Sequence, residues 1–93
     1  MDQLYKQIVS FQRRCNDYID DPSHHLSNAL KQDVQKLEDD AQTRKNAYTL
    51  ESRVRQVINL LEKCGEEAVI SHHHADELID TCEEFMRELK QLR

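Results

Sequence analysis

The fold is decided by residues 71–92, which read SHHHADELIDTCEEFMRELKQL. Apolar residues recur in this stretch at alternating spacings of three and four, at Ala75, Leu78, Cys82, Phe85, Leu89 and Leu92. This spacing keeps the apolar side chains on one face of an α-helix and leaves charged residues on the other. Ser71 precedes the run and can cap the helix with its hydroxyl. We therefore predict an amphipathic helix over residues 72–93 that packs against other helices.

Three upstream stretches have the same helical period. The first predicted helix covers residues 2–20 and stops at the sequence Asp-Asp-Pro of residues 20–22, because proline cannot continue a helix. The second covers residues 23–42 and begins with that proline and the following serine as its start signal. The first break between helices therefore lies at residues 20–22.

The third pattern covers residues 46–70 and continues through Gly65, so this glycine is expected inside the helix. Its apolar register does not match that of residues 23–42, and the slip falls within residues 42–46. Residues 23–70 could therefore form one long helix with an irregular turn. Alternatively, they could break at the slip, with Asn46 as a cap or left-handed residue.

Composition and length support one small all-α domain over residues 1–93. A chain of 93 residues with one glycine and one proline lacks the turn residues that sandwiches and barrels need. We predict an antiparallel left-handed helical bundle. It has three helices if residues 23–70 are continuous and four if the chain breaks near residues 42–46.

Charge and hydropathy exclude two classes of partner. The net charge is −5, and the 13 Lys and Arg are scattered among 18 acidic residues, so no basic face for nucleic acid is expected. No apolar run approaches the roughly 18 residues that span a bilayer, so we expect no membrane partner and a cytoplasmic location. Three widely spaced cysteines, Cys15, Cys64 and Cys82, are expected as buried thiols rather than disulfides.

One part of the chain resembles a known family. Gly65-Glu66-Glu67, followed by His72 and then Ala75, matches the order found around the second turn of the spectrin repeat, a three-helix coiled coil. The resemblance covers residues 50–93, with Leu89 where the family has a tryptophan. It implies a spacer or docking module of a larger cytoskeletal or Rho-exchange-factor protein, and the family has no catalytic residues to carry over.

Side chains that could carry chemistry lack the partners that chemistry needs. The histidines of residues 72–74 place His73 one helical turn from Glu77, but two ligands do not complete a metal site. The three cysteines lie on apolar stripes, where a thiol behaves as a small hydrophobe. The pair Glu51 and Arg55 has the spacing of an ion pair on a solvated helix face. We therefore predict no catalytic, cofactor-binding or metal-binding residues, and no enzyme.

A surplus of apolar residues beside the main stripes indicates contact with another protein. A wide core face would also account for this surplus, and small bundles commonly need one. Arg13 could contact an acidic group of such a partner. The candidate partner-binding residues are Tyr5, Val9, Arg13, Ile79 and Met86.

The leading functional prediction is a non-enzymatic interaction or spacer module within a larger cytoskeletal or signalling protein. The alternative is a small stand-alone bacterial or phage regulator that binds and masks another protein. A metal-binding four-helix bundle is a third class. The partner is expected to be another protein, and a homodimer stays open.

Overall fold

The computed structural model describes residues 2–93 and contains four α-helices. They are α1 (Asp2–Tyr18), α2 (His25–Gln42), α3 (Ala47–Glu66) and α4 (His72–Leu92). Helices account for 82% of the chain, and the described residues form no strand. The all-α prediction is confirmed in its four-helix form, since the chain breaks where the two apolar registers disagree.

The helices form a ring of neighbours. Each helix packs against the next one in the chain, and α4 closes the ring against α1, whereas diagonal helices within residues 2–93 make no close backbone approach. Short connections make consecutive helices antiparallel neighbours. The body measures 35 × 20 × 18 Å, so its long axis is close to the length of one helix.

Apolar residues of all four helices fill one continuous core. The predicted core residues Leu61, Leu78 and Phe85 are all buried, which confirms the apolar stripes of α3 and α4. Gly65 lies inside α3 as predicted, and a methyl group added there would come within 3.3 Å of the Ala75 Cβ on α4. This glycine therefore allows α3 and α4 to approach closely at one end.

The two apolar registers disagree because a tight turn over residues 43–46 separates α2 from α3. Arg44 takes a left-handed conformation, with φ of 60°, and its N–H donates to the Ala41 carbonyl. The next N–H, of Lys45, donates to the Asp40 carbonyl, which completes a Schellman motif at the end of α2. Asn46 then caps α3, because its Oδ1 accepts from the Thr49 N–H at 2.9 Å.

The end of α3 differs from the prediction, which extended the helix to residue 70. The helix ends at Glu66, and Ala68 takes the left-handed position with φ of 57°. Its N–H donates to the Gly65 carbonyl and the Val69 N–H donates to the Cys64 carbonyl, which is again a Schellman motif. Val69 is buried with the core, so the apolar pattern continues past a helix that has already ended.

The first connection is also longer than predicted. α1 ends at Tyr18 rather than residue 20, and α2 starts at His25 rather than residue 23. Hydrogen bonds to Asp21 hold the intervening turn, since its carbonyl accepts from the His24 N–H at 3.2 Å and from the Ser27 hydroxyl. His24 itself caps α2 through Nδ1, which accepts from the Leu26 N–H. Ser71 caps α4 through its hydroxyl, as predicted.

Candidate interaction surface

The predicted partner-binding residues of α1 lie on its outer side. Tyr5, Val9 and Arg13 line one shallow depression formed by α1 residues alone. Tyr5 also packs against the core, whereas Arg13 is exposed. The side of α1 that faces α4 carries Arg14, which donates to the Thr81 hydroxyl at 3.3 Å.

The predicted residues of α4 lie elsewhere. Ile79 lines the groove between α3 and α4 together with Leu61, and Met86 is two turns further along the same side of α4. Both are half-buried and pack against the core. The structure therefore divides the five predicted residues between two separate sides of the bundle, and it does not bring them into one surface.

A different apolar surface lies at the end of the bundle that holds the α2–α3 turn. Tyr48 is 65% exposed and Leu92 is 58% exposed, and they are the exposed large hydrophobic residues of the described chain. Arg93 connects them, since it follows Leu92 and its guanidinium carbon lies 4.9 Å from the centre of the Tyr48 ring. We call this region, together with Arg44 and Lys45 of the turn, the Tyr48–Leu92 surface.

A cleft of about 360 Å³ opens in this surface between the α2–α3 turn and the end of α4. Its floor is apolar, because Leu50 and Leu89 are fully buried beneath it. Arg44 and Lys45 form one edge and Leu92 forms another. The cleft has room for one large apolar side chain with a carboxylate placed beside Lys45.

A buried carboxylate supports the same surface. Glu51 is only 1% exposed, so the prediction of a solvated face at this position is wrong. Its Oε2 lies 2.7 Å from the Arg93 Nε, and its Oε1 lies 3.7 Å from the Arg55 guanidinium. The Arg93 contact is an ion pair without good hydrogen-bond alignment, since Oε2 has no hydrogen-bond partner. The Glu51–Arg93 ion pair holds the Arg93 guanidinium over the Tyr48 ring at the end of α4.

Basic residues lie together at this surface. Among the described residues, the cleft is lined by two basic side chains, Arg44 and Lys45, although the chain carries a net charge of −5. Arg93 is a further basic residue of this surface, and it forms an ion pair with Glu51. A partner that carries negative charge beside an apolar side chain therefore complements this surface.

The three cysteines are buried and unpaired, as predicted. Burial is the main cause that raises the pKa of Cys82 to about 12, and the nearby Glu83 adds to it. Burial also raises the pKa of Cys15 and of Cys64. A thiolate nucleophile is therefore disfavoured at each of these positions near neutral pH.

The five histidines lie together at the opposite end of the bundle. The α1–α2 and α3–α4 connections meet there, because the Asp20 N–H donates to the Val69 carbonyl at 2.8 Å. The first connection ends with His24 and leads into His25 at the start of α2, and the second leads directly into the three histidines that begin α4. We call this end the histidine pole, and its members are His24, His25, His72, His73 and His74.

None of the helices within residues 2–93 is long and apolar enough to cross a membrane. When the chain is compared with known proteins, it matches no family model, no curated protein and no solved structure.

Proposed function

We propose that this chain is a non-enzymatic protein-protein interaction module whose Tyr48–Leu92 surface binds an acidic, apolar segment of another protein. The observation that carries the proposal is the exposure of Tyr48 and Leu92 beside a cleft that Lys45 lines. Exposed aromatic and arginine side chains are the types that contribute most to binding at protein interfaces.

Two properties of the surface favour an ordered docking site. Arg93 is held by Glu51 on one side and lies over Tyr48 on the other, so its position is set before binding. Leu50 and Leu89 make the cleft floor part of the rigid core. A site that is already ordered loses less conformational entropy when its partner binds.

The wider role stays a prediction from the sequence. The resemblance of residues 50–93 to the spectrin repeat supports a spacer or docking module of a cytoskeletal or signalling protein with a cytoplasmic location. The burial of all three thiols supports a non-enzymatic role, because these are the strongest nucleophiles of the described chain. The partner in this proposal is another protein rather than nucleic acid or a membrane.

The test is a peptide titration followed by ¹H–¹⁵N NMR. The probe is a short peptide that places Asp or Glu next to Leu and Phe, and the control peptide has Lys in place of each acidic residue. We expect the acidic peptide to shift the signals of Lys45, Tyr48 and Leu92. Lys45→Glu should weaken binding by about tenfold or more, because it places like charges together.

Lys31→Glu is the matched control, since it makes the same charge change at an exposed site on α2. It should alter binding by less than about twofold. Equal binding of the two peptides, or shifts confined to the side of α1 that carries Tyr5, would overturn the proposal. Concentration-dependent shifts of the same signals without peptide would also overturn it, in favour of a homodimer.

A further inference from the structure

The histidine pole contains a side-chain cluster with the donor set of a metal site. One ligand atom from each of His73, His74 and Glu77 lies within 4.8 Å of the other two. Helical spacing alone places only pairs of these ligands one turn apart. The structure adds His74 to the pair of His73 and Glu77, and so supplies a third ligand.

We propose that His73, His74 and Glu77 bind one Zn²⁺ ion. Imidazole nitrogen and carboxylate oxygen are both zinc ligands, and two histidines with one glutamate form a known three-residue zinc set. A water molecule would complete a tetrahedral arrangement. The site is independent of the Tyr48–Leu92 surface, which lies at the other end of the bundle.

The geometry requires only a small closure. Zinc distances of about 2.0–2.2 Å place neighbouring ligand atoms of a tetrahedral site about 3.4 Å apart. The cluster must therefore contract by about 1.4 Å at most from its present spread of 4.8 Å. His73 is exposed, so its ring is free to rotate towards the other two ligands.

Residues of α1 contact two of the ligands. The Tyr18 ring stacks on His74 with centroids 3.8 Å apart and an angle of 6° between the planes. The Arg14 Nη1 lies 3.9 Å from the Glu77 Oε1. The stacking contact orients the His74 ring and reduces the entropy lost on metal binding.

The charge of Arg14 provides a specific test of the site. Its positive charge attracts the Glu77 carboxylate and repels a cation bound beside it. Removing that charge should therefore strengthen zinc binding. A purely structural role of Glu77 would not respond in this way, since the loss of Arg14 would then remove only an ion pair.

The experiment measures Zn²⁺ binding to the whole chain by calorimetry, in competition with a chromophoric chelator. We expect one zinc ion per chain. His73→Ala and Glu77→Gln should each weaken binding by at least about tenfold, and Arg14→Gln should strengthen it. Visible absorption of the Co²⁺ form should show the bands of a four-coordinate site, and circular dichroism checks that each variant is folded.

His72→Ala is the matched control, because it removes a histidine from the same run without removing a ligand of the cluster. It should change affinity by less than about twofold. An equal loss in His72→Ala and His73→Ala would mean binding to any pair of the run and would overturn the proposal. The absence of saturable one-to-one binding, or weaker binding in Arg14→Gln, would also overturn it.

Discussion

The rings of Phe11 and Phe85 meet edge to face across the α1–α4 interface, with centroids 5.5 Å apart and planes at 82°. Both rings are buried, and they join the first helix to the last. Such aromatic pairs add to the stability that burial alone provides. This contact closes the ring of helices at a point that no local sequence pattern specifies.

Phe85→Ala should cost about 3 to 5 kcal/mol, because it leaves a cavity and removes the ring contact with Phe11. That is a large part of the roughly 5 to 9 kcal/mol expected for a chain of this length. Urea denaturation followed by circular dichroism measures the loss. Tyr48→Ala removes an exposed aromatic side chain and should cost about 1 kcal/mol or less. An equal loss of unfolding free energy in the two variants would contradict the burial of Phe85 in the core.

Arg93→Met should lower the urea midpoint of unfolding more than Arg55→Met does, since it leaves the buried Glu51 carboxylate with only a distant cation. Combining it with Glu51→Gln should cost less than the two separate losses together, because the two side chains interact directly. Arg55→Met is the control, and its exposed guanidinium should contribute about 0.5 kcal/mol or less. Equal effects of the two arginine variants would show that Glu51 does not depend on Arg93.

Ala68→Gly should stabilise the protein by about 0.5 to 1 kcal/mol. Ala68 has a φ of 57°, and a residue with a Cβ is strained in this left-handed conformation, whereas glycine is not. Ala29→Gly makes the same chemical change inside α2 and should instead destabilise by about 1 kcal/mol. Thermal and urea unfolding of the two variants check the opposite signs. A loss of stability in Ala68→Gly would argue against the Schellman end of α3.

The three thiols should react with Ellman's reagent only when the protein unfolds. A Cys82 pKa of about 12 leaves about one thiolate in 10,000 at pH 8, and burial blocks access of the reagent. All three cysteines should therefore react at the rate of global unfolding. The control is the protein in denaturant, where three equivalents react at once. A single fast thiol in the native protein would show that a part of the core opens separately.

Glu38→Gln should raise stability near neutral pH and leave it unchanged in acid. Burial is the main cause that raises the Glu38 pKa from 4.5, the nearby Asp39 adds to it, and the Glu38 Oε2 is buried without a hydrogen-bond partner. The folded protein therefore binds this proton more tightly than the unfolded chain does. Stability is then lost as the pH rises from 4.5 through the raised pKa.

Denaturation at about pH 3.5 and about pH 7 measures the Glu38→Gln effect. Glu62→Gln on the exposed side of α3 is the control and should change stability by about 0.5 kcal/mol or less at either pH. A gain of the same size at both pH values in Glu38→Gln would assign the effect to the amide rather than to the lost charge.

Periodicity by itself determined the helical architecture and much of its detail. The apolar stripes predicted the core positions of Leu61, Leu78 and Phe85, and the mismatch of two registers marked the turn before Asn46. Ser71 as a helix cap was also predicted correctly. These features depend on residues within one or two helical turns, so a linear pattern contains them.

The ends of α2 and α3 were harder to predict from the chain. Arg44 and Ala68 occupy left-handed positions where glycine is the usual residue. Because neither position has a glycine, the sequence does not mark the ends of these two helices. Val69 continued the apolar pattern because a Schellman turn buries the residue that follows it. His24 as a helix cap gave no signal either, since serine, threonine, asparagine and aspartate are the usual caps.

Only the tertiary structure decided which distant residues share a surface. Helical spacing places Glu51 and Arg55 on one face, but the approach of Arg93 from α4 is what makes Glu51 a buried, paired carboxylate. In the same way, the contact between the α1–α2 and α3–α4 connections brings the five histidines to one end of the bundle. At the other end, the packing of the helices leaves Tyr48 and Leu92 exposed. A periodic pattern specifies which side of a helix is apolar, whereas the packing of four helices determines what each side contacts.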